Sequence, residues 1–313
     1  MASFTPATDI EDLSGKVILI TGGNVGIGAA VVQALAPHDP EAIYICARNT
    51  TTAEALVNEI KETSPSTKSN LEVLQLDLSS FESVKKCAAE FKSKAKRLDI
   101  MFLHAGVAGV SPKLTQDGYE IEFGINHMGH ALLTQLLLPK MLETKQQDPS
   151  ADLRIVSTSS RAYLRAGAID VSQMHDANAF SNGVLKHYGH SKLANILFVK
   201  KLSELYPTIT STAVHPGVVK SEIYDRARKD GSFWLYWLSY PVVALTGIST
   251  EEGAKTQLWA ATADGVQNGK YYEPVANQVD ATVFSDSKQI DELWDWTEKE
   301  LAKHHGPGWP KAS

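Results

Sequence analysis

The amino-acid sequence predicts an α/β protein, a doubly wound parallel sheet with helices on both faces. Short apolar runs without polar alternation are typical of strands that are buried on both sides of a parallel sheet. Stretches with apolar residues at helical spacing separate these runs, and such alternation with right-handed crossovers gives a doubly wound sheet. The predicted strands are 17–20, 43–46, 71–76, 100–103, 153–156 and 211–214, and the predicted helices are 28–35, 52–62, 81–94, 119–143 and 188–205.

Bulk composition predicts one globular domain over residues 1–313, with residues 222–250 as a substrate-binding excursion over the sheet. Hydrophobic residues make up 43% of the chain and charged residues 21%, and the net charge of −6 argues against nucleic acid as a partner. Cys46 and Cys87 cannot form a disulfide framework and are expected as small buried residues in a reducing compartment. Residues 1–11 lack the pattern of a signal peptide, so we expect a cytoplasmic protein.

The longest apolar run is 233–248, which is rich in aromatic residues and interrupted by Pro241. It is short for a transmembrane span. Three interpretations stay open: core or subunit interface, a wall of the substrate pocket, or peripheral contact with a membrane surface. The pocket interpretation favours a bulky lipophilic or aromatic substrate.

A glycine-rich turn lies between the first predicted strand and the first predicted helix. Its glycines, Gly22, Gly26 and Gly28, enclose Asn24 and Ile27. Such glycines allow a tight turn and close backbone approach, and the helix N-terminus then presents free N–H groups to a pyrophosphate. A strand–helix turn that binds nothing is the alternative. The position after the first strand favours a Rossmann-type dinucleotide site, and the absence of a following Gly-Lys-Ser/Thr excludes a P-loop.

The end of the second predicted strand bears on the choice of cofactor. An acidic residue about 20 residues past the glycines would accept hydrogen bonds from the ribose of NAD. Here the strand ends in Arg48 and Asn49, and Arg48 can pair with the 2′-phosphate of NADP. An ordinary surface arginine is the alternative. The sequence therefore favours NADP(H) over NAD(H).

Tyr188 and Lys192 place a phenol and an ammonium four residues apart, on one face of a predicted helix. Chance alone can produce this spacing, although it occurs only once in the chain. A neighbouring ammonium favours the phenolate form of a tyrosine, whose ordinary pKa of about 10 is too high for proton exchange near neutrality. The pair is therefore a candidate for general acid–base chemistry.

Several further motifs follow the glycine turn in chain order, and the full set is 21–28, Asp77-Leu78, His104-Ala105-Gly106, Asn126, 155–160, Tyr188 to Lys192 and 215–221. Together these motifs resemble the short-chain dehydrogenase/reductase family over residues 14–222, and most of all its retinol-dehydrogenase-like branch with its fungal relatives. One motif departs from the family pattern, because His104 stands where the family has asparagine. The structural contact that this asparagine usually makes is therefore in doubt.

The resemblance implies a carbonyl reductase or alcohol dehydrogenase. Tyr188 would exchange a proton with the substrate oxygen, Ser160 would hold that oxygen, and Asn126 would hold a water that links Lys192 to solvent. Ser159 is the alternative to Ser160, because neighbouring residues of a strand face opposite sides. The implied cofactor contacts, besides the glycine turn and Arg48, are Asp77, Ala105, Tyr188, Lys192, Val219 and Ser221.

Other functions and partners are compatible with the same residues. An isomerase or epimerase of a natural-product pathway could use them, whereas a non-catalytic NADP-binding regulator would usually lack the Tyr188–Lys192 pair. The family is often dimeric or tetrameric, so we expect a homo-oligomer. The histidine pairs His127/His130 and His187/His190 have a spacing that a metal could use, but no cysteine or carboxylate cluster accompanies them, so we expect hydrogen-bonded histidines and no metal site.

Overall fold

A computed structural model describes residues 4–179, 185–219 and 247–311, and its strands form one eight-stranded sheet. The strand order is β3-β2-β1-β4-β5-β6-β7-β8, and all neighbours are parallel except β7 and β8. This arrangement confirms the predicted doubly wound sheet. The strands are β1 (Val17–Thr21), β2 (Ala42–Ala47), β3 (Asn70–Gln75), β4 (Ile100–Leu103), β5 (Leu153–Thr158), β6 (Ile209–Val214), β7 (Lys270–Glu273) and β8 (Asn277–Val279).

The helices connect these strands and agree closely with the predicted ones. The helix expected over 119–143 is divided, because the π-helical turn Gly124–Met128 separates two α-helical parts. The helices are α1 (Pro6–Asp9), α2 (Gly26–Leu35), α3 (Thr50–Thr63), α4 (Phe81–Lys94), α5 (Ile121–Phe123), α6 (Gly129–Gln147), α7 (Lys186–Leu205), α8 (Thr250–Thr262) and α9 (Ser287–Lys303).

The sheet has a hydrophobic core on each face. Alternate residues of a strand point to opposite faces, so Val17 and Leu19 join one core and Ile18 and Ile20 join the other. The first core is covered by α4, α6, α7 and α9, and the second by α2, α3 and α8. Covering both faces explains why the inner strands are apolar runs without polar alternation.

The strand order reverses between β1 and β4. In an open parallel sheet, the crevice beyond the carboxyl ends of the strands at such a point is where ligands bind. The glycine turn follows β1, the segment that begins with His104 follows β4, and residues 159–160 follow β5. The fold therefore brings three of the sequence motifs to one edge of the sheet.

Strands and helices that the sequence did not predict follow β6. β7 and β8 extend the sheet, and α8 and α9 cover its two faces. β7 contains Lys270 and Glu273 and is only four residues long, so it lacks the apolar run that marks the other strands. The carboxyl end of β6 leads to Val219, which forms a parallel bridge with Ile248. Val219 and Ile248, on either side of the undescribed residues 220–246, are therefore neighbours.

Two expectations about organisation concern residues outside the described ranges. Most of the predicted excursion, residues 222–246, and most of the apolar run 233–248 lie there, so the division of the chain stays a prediction. Residue 250 of that excursion begins α8. Within 4–179, 185–219 and 247–311, no helix combines the length and apolar character needed to cross a bilayer.

Candidate active site

The glycine turn packs so closely that side chains would not fit. A Cβ atom added at Gly28 would stand 2.2 Å from the carbonyl oxygen of Gly22, and one added at Gly22 would stand 3.0 Å from Ala105. Gly22 and Gly26 adopt positive φ angles of 68° and 58°. The N-terminus of α2 carries no side-chain cap and no acidic residue in its first turn, so its N–H groups are available to an anion. These features fit a pyrophosphate. The buried Ile27 points instead toward Gly253 of α8.

The second and third strands supply the other end of the crevice. Arg48 is exposed directly after β2, and Asn49 caps α3 by accepting from the Thr51 N–H. Asn24 of the glycine turn donates to the Thr52 hydroxyl at 2.6 Å, which ties the turn to the start of α3. Asp77, half-buried after β3, accepts from the Ser79 backbone and hydroxyl. Arg48 therefore stands beside a helix N-terminus, an arrangement suited to a phosphate.

Thr21 joins the ends of β1 and β4. Its hydroxyl oxygen accepts from the N–H groups of His104 and Ala105 at 2.9 and 3.0 Å, and it lies 2.8 Å from Nε2 of His130. The Nδ1–H of His130 donates to the carbonyl of Asn126, so Nε2 accepts the Thr21 proton. Through these bonds the glycine turn, the end of β4 and the π turn hold one another in place.

His104, which departs from the family pattern, has partners that the sequence did not suggest. Gln257 of α8 donates its amide to Nδ1 of His104 at 3.0 Å, and the Thr158 hydroxyl lies 3.3 Å from the same atom. Burial, followed by the charge of Lys192, lowers the pKa of His104 to about 4. A neutral imidazole therefore stands where the family has asparagine, and Gln257 of α8 binds it through a hydrogen bond.

The α7 helix places Tyr188 and Lys192 on one face. The Nζ atom of Lys192 lies 5.4 Å from the centroid of the Tyr188 ring and donates to the Thr158 carbonyl at 2.9 Å. Tyr188 is half-buried, whereas Lys192 is 3% exposed. Burial lowers the pKa of Lys192 to about 8, and the charge of Glu122 opposes that shift. The helix thus holds a phenol and a buried amine side by side at the carboxyl edge of the sheet.

The π turn presents Asn126 to the same region. Its side chain accepts from the Val107 N–H at 2.8 Å and donates to the Val107 carbonyl and to the Ser191 hydroxyl, each at 2.9 Å. A π turn interrupts the regular ladder of backbone hydrogen bonds and is often found at functional sites. Asn126 therefore links the segment after β4 to the residue next to Lys192.

Ser159 and Ser160 make different contacts. Ser159 is buried, and its hydroxyl donates to the Lys192 carbonyl at 2.7 Å. Ser160 is half-buried, and its oxygen accepts from the Ala162 N–H at 3.2 Å. Among the described residues, none accepts the Ser160 hydroxyl proton. The Ser159 hydroxyl proton is therefore used in a hydrogen bond to the backbone of α7. The Ser160 hydroxyl proton remains available to an oxygen atom of a ligand.

The remaining predicted positions divide between described and undescribed residues. Val219 is buried and packs against Gly253. Ser221 lies outside the described residues. The histidines of the two spaced pairs have hydrogen-bonding partners: His127 contacts Thr297, and His190 contacts the carbonyls of Lys186 and Ala168.

A buried carboxylate on α5 was missed by the sequence reasoning. Glu122 is 4% exposed, and burial, followed by the charge of Glu120, raises its pKa to about 7. His187 lies 3.5 Å from Glu120, which caps α5. The sequence signal was an acid one helical turn before Asn126, but the pattern of the family did not single it out.

Comparison with known proteins identifies the arrangement. The profile of the short chain dehydrogenase family matches residues 16–231. The chain belongs to the short-chain dehydrogenase family. This short-chain dehydrogenase is 35% identical to retinol dehydrogenase 12 of Mus musculus over 287 residues, which cover 90% of this chain and 85% of the relative. It is 34% identical to a short-chain dehydrogenase/reductase of Armillaria gallica over 300 residues, which cover 93% and 91% of the two chains.

Solved structures share the fold of this short-chain dehydrogenase. An uncharacterized protein of Mycobacterium paratuberculosis superposes with a TM-score of 0.70 at 23% identity, covering 96% of this chain and 98% of its own. L-sorbose reductase of Gluconobacter frateurii, solved with NADPH and L-sorbose, gives a TM-score of 0.65 at 19% identity, covering 88% and 100%. Members of the family are oxidoreductases that bind nicotinamide cofactors, and the retinol-dehydrogenase-like resemblance is confirmed.

Proposed function

We propose that this short-chain dehydrogenase is an NADP(H)-dependent enzyme that interconverts a carbonyl and an alcohol. The observation that carries the proposal is the pairing of Tyr188 with the buried Lys192 at the carboxyl edge of the sheet. The glycine turn of the same edge has the close packing and the uncapped helix that fit a dinucleotide. A proton-transfer pair and a hydride carrier are together what this reaction needs.

In this proposal, Tyr188 donates a proton to the substrate oxygen during reduction and accepts it during oxidation. The bound nicotinamide cofactor supplies or accepts the hydride. Lys192 stabilises the phenolate of Tyr188 through its positive charge. Ser160 donates its free proton to the substrate oxygen, which fixes the carbonyl beside Tyr188. Asn126 holds the segment after β4 against α7 and so maintains the position of Lys192.

The preference for NADP(H) rests on the end of β2. Arg48 is exposed beside the N-terminus of α3, which Asn49 caps. Next to it, Asn24 of the glycine turn donates a hydrogen bond to Thr52 in the first turn of α3. Both a guanidinium and a helix N-terminus favour a phosphate group over a bare ribose hydroxyl. Asp77 would contact the adenine of the same cofactor and Ala105 its nicotinamide side, and the resemblance adds Val219 and Ser221 as further cofactor contacts.

The proposed substrate is a bulky lipophilic or aromatic carbonyl compound or the matching alcohol. The relatives include proteins named retinol dehydrogenase, a name that points to a large apolar alcohol. Leu164 and Val218 are exposed apolar side chains on the segments that follow Ser160 and β6. Two such side chains are available to an apolar ligand, so the proposed substrate class rests chiefly on the name of the relatives.

The test is turnover of NADPH by the purified protein with a panel of carbonyl compounds. The panel should contain retinaldehyde, flat aromatic ketones and small hydrophilic sugars, each with NADPH and with NADH, monitored through the nicotinamide absorbance. We expect oxidation of NADPH with the apolar members. Binding of NADPH without turnover of any member would favour a regulator, and turnover restricted to the sugars would contradict the proposed substrate class.

A further inference from the structure

Arg161 and Glu273 form an ion pair that the proposed reaction does not use. Nε of Arg161 lies 2.8 Å from each carboxylate oxygen of Glu273, and its Nη2 donates to Oε2 of the same carboxylate. Arg161 directly follows Ser160 in the chain, whereas Glu273 is the last residue of β7. The pair therefore joins the segment after β5 to a strand that lies two positions further along the sheet.

The two partners of this ion pair differ in exposure. The Glu273 side chain is 6% exposed and the Arg161 side chain 66%. Among the described residues, Arg161 is the only side chain that donates to this carboxylate. His215, whose N–H donates to the Tyr272 carbonyl, offers no competing positive charge near neutral pH, because burial lowers its pKa to about 4. A buried carboxylate is costly without a partner, so Glu273 holds Arg161 in place.

Arg161 begins the short 3₁₀-helical segment Arg161–Arg165, here called the 161–165 turn. Two backbone groups of this turn bond back to Ser160. The Ala162 N–H donates to the Ser160 hydroxyl oxygen at 3.2 Å, and the Tyr163 N–H donates to the Ser160 carbonyl at 3.0 Å. The position of Ser160 therefore depends on where the 161–165 turn lies.

The 161–165 turn packs against the first turn of α7. A Cβ atom added at Gly189 would stand 2.6 Å from the Ala162 carbonyl oxygen and 3.3 Å from the Ala166 nitrogen. Gly189 follows Tyr188 directly in the chain. The turn that follows Ser160 thus meets the helix that carries Tyr188 at the residue next to that tyrosine.

Tyr163 attaches the same turn to β7 through aromatic contacts. The centroid of its ring lies 5.5 Å from that of Tyr271 and 5.0 Å from that of Phe284. Tyr271 belongs to β7, two residues before Glu273. Apolar contacts are non-directional, whereas a guanidinium that binds both oxygens of a carboxylate has a defined geometry. The ion pair is therefore the contact that fixes the orientation of the 161–165 turn on β7.

We propose that Arg161 and Glu273 are positioning residues, which fix the 161–165 turn between β7 and α7 and so direct the Ser160 hydroxyl at the substrate oxygen. The inference rests on the proposed role of Ser160. In this proposal neither side chain touches substrate or cofactor, and both act on the reaction through Ser160. The carboxylate anchors the arginine, and the arginine anchors the turn.

The direct test measures amide hydrogen exchange by NMR in the protein without cofactor. The informative amides are those of Tyr163 and Ala166, which donate to the carbonyls of Ser160 and Tyr163. In Arg161→Met both should exchange at least about 10-fold faster, because the turn opens more often without its anchor. The amide of Val156 in β5 reports on opening of the sheet, and its change is subtracted. Wild-type protection of the two turn amides would overturn the proposal.

Arg97→Met is the matched control for this measurement. Arg97 also binds a buried carboxylate through two bonds, since it donates to Asp99 at 2.9 and 2.6 Å. Asp99 precedes β4 and so lies at the amino edge of the sheet, away from Ser160. The control should therefore leave the corrected exchange of the two turn amides unchanged. Equal acceleration in both variants would show a loss of stability alone and would overturn the proposal.

A second variant covers the case in which Arg161→Met does not fold. That substitution leaves the buried Glu273 carboxylate without its partner, whereas Arg161→Met/Glu273→Gln removes both charges. The double variant should show the same faster exchange of the turn amides, because the anchor is absent in both proteins. Wild-type exchange in the double variant would overturn the proposal.

Turnover then separates positioning from a merely structural role. Arg161→Met/Glu273→Gln should lower kcat by about 10-fold and leave the KM for NADPH within about two-fold, because Ser160 is displaced and the cofactor turn is not. In a Ser160→Ala background the same change should lower kcat no further, since the pair acts through Ser160. An unchanged kcat, or losses that multiply in the combined variant, would overturn the proposal. Because the exchange measurement needs no turnover, a failed carbonyl panel would count against the proposed function alone.

Discussion

Lys192 lies beside Tyr188 on one face of α7, with its Nζ atom 5.4 Å from the centroid of the phenol ring. The lysine is fixed by the carbonyl of Thr158, the last residue of β5, so the central sheet determines where its charge stands.

Ser159 and Ser160 should respond differently to alanine substitution. Ser160→Ala should lower kcat by about 100-fold, because one donor to the substrate oxygen is removed, and should cost about 1 kcal/mol of unfolding free energy through the lost bond from the Ala162 N–H. Ser159→Ala should cost about 1 kcal/mol of unfolding free energy, because it breaks the hydrogen bond to the Lys192 carbonyl. Steady-state kinetics and urea unfolding of both variants decide the matter. The variant with the large loss of kcat identifies the serine that contacts substrate, and a loss of kcat confined to Ser159→Ala would assign that contact to Ser159.

Arg48→Ala should weaken the use of NADPH and spare that of NADH. A charge-assisted bond to the 2′-phosphate is worth about 1.5–3 kcal/mol, so the KM for NADPH should rise by about 10-fold to 100-fold. The KM for NADH should stay within about two-fold on the same grounds, since its ribose carries no phosphate. Lys86→Ala removes an exposed cation on α4 and should change neither value. Equal effects on both cofactors would make Arg48 an ordinary surface residue.

Gly28→Ala should disrupt the cofactor turn through steric overlap alone. The new Cβ would stand 2.2 Å from the Gly22 carbonyl oxygen, so we expect a loss of about 1–3 kcal/mol in stability and of measurable NADPH binding. Gly265→Ala is the control, because its Cβ meets nothing within 4 Å and only its φ angle of 75° is strained. Thermal unfolding and fluorescence titration with NADPH compare the two. Wild-type affinity in Gly28→Ala would contradict the close packing.

Glu122→Gln should change how stability depends on pH. Burial raises the pKa of Glu122 to about 7 in the folded protein, above its ordinary value, so the folded state holds this proton more tightly than the unfolded state. The resulting stability is present at low pH and is lost as the pH rises toward 7. Glutamine does not titrate, so the variant should gain up to about 3 kcal/mol relative to wild type between pH 4.5 and pH 8. Urea unfolding at both pH values measures it, and a difference that does not depend on pH would show that Glu122 is ordinarily solvated.

The part of the fold that could be predicted from sequence is the part in which each strand is buried on both faces. Residues 17–20 and 100–103 are continuous apolar runs, because helices cover both sides of the inner strands. β7 could not be predicted in this way, since it is short and carries Lys270 and Glu273 at its ends. Its pairing with β6 depends on contacts between residues that are distant in sequence.

In the candidate site, too, features that depend on local sequence could be predicted, and features that depend on contacts between distant residues could not. The glycine turn and the Tyr188–Lys192 spacing are local patterns that can be found in the sequence directly, and both lie at the carboxyl edge of the sheet. The partner of His104 is Gln257, which lies more than a hundred residues away and belongs to no motif. Similarly, the choice between Ser159 and Ser160 depends on which hydroxyl reaches the backbone of α7, and only the folded chain contains that contact.

The most direct test of the central claim is the effect of Tyr188→Phe on NADPH-dependent reduction of the best carbonyl substrate. Removing one hydroxyl should lower kcat by about 100-fold to 10,000-fold while NADPH still binds, because the proton donor is lost and the cofactor turn is not. Tyr206→Phe is the matched control, since its hydroxyl donates to the Pro310 carbonyl at the C-terminal end of the chain. Wild-type turnover in Tyr188→Phe would contradict the account.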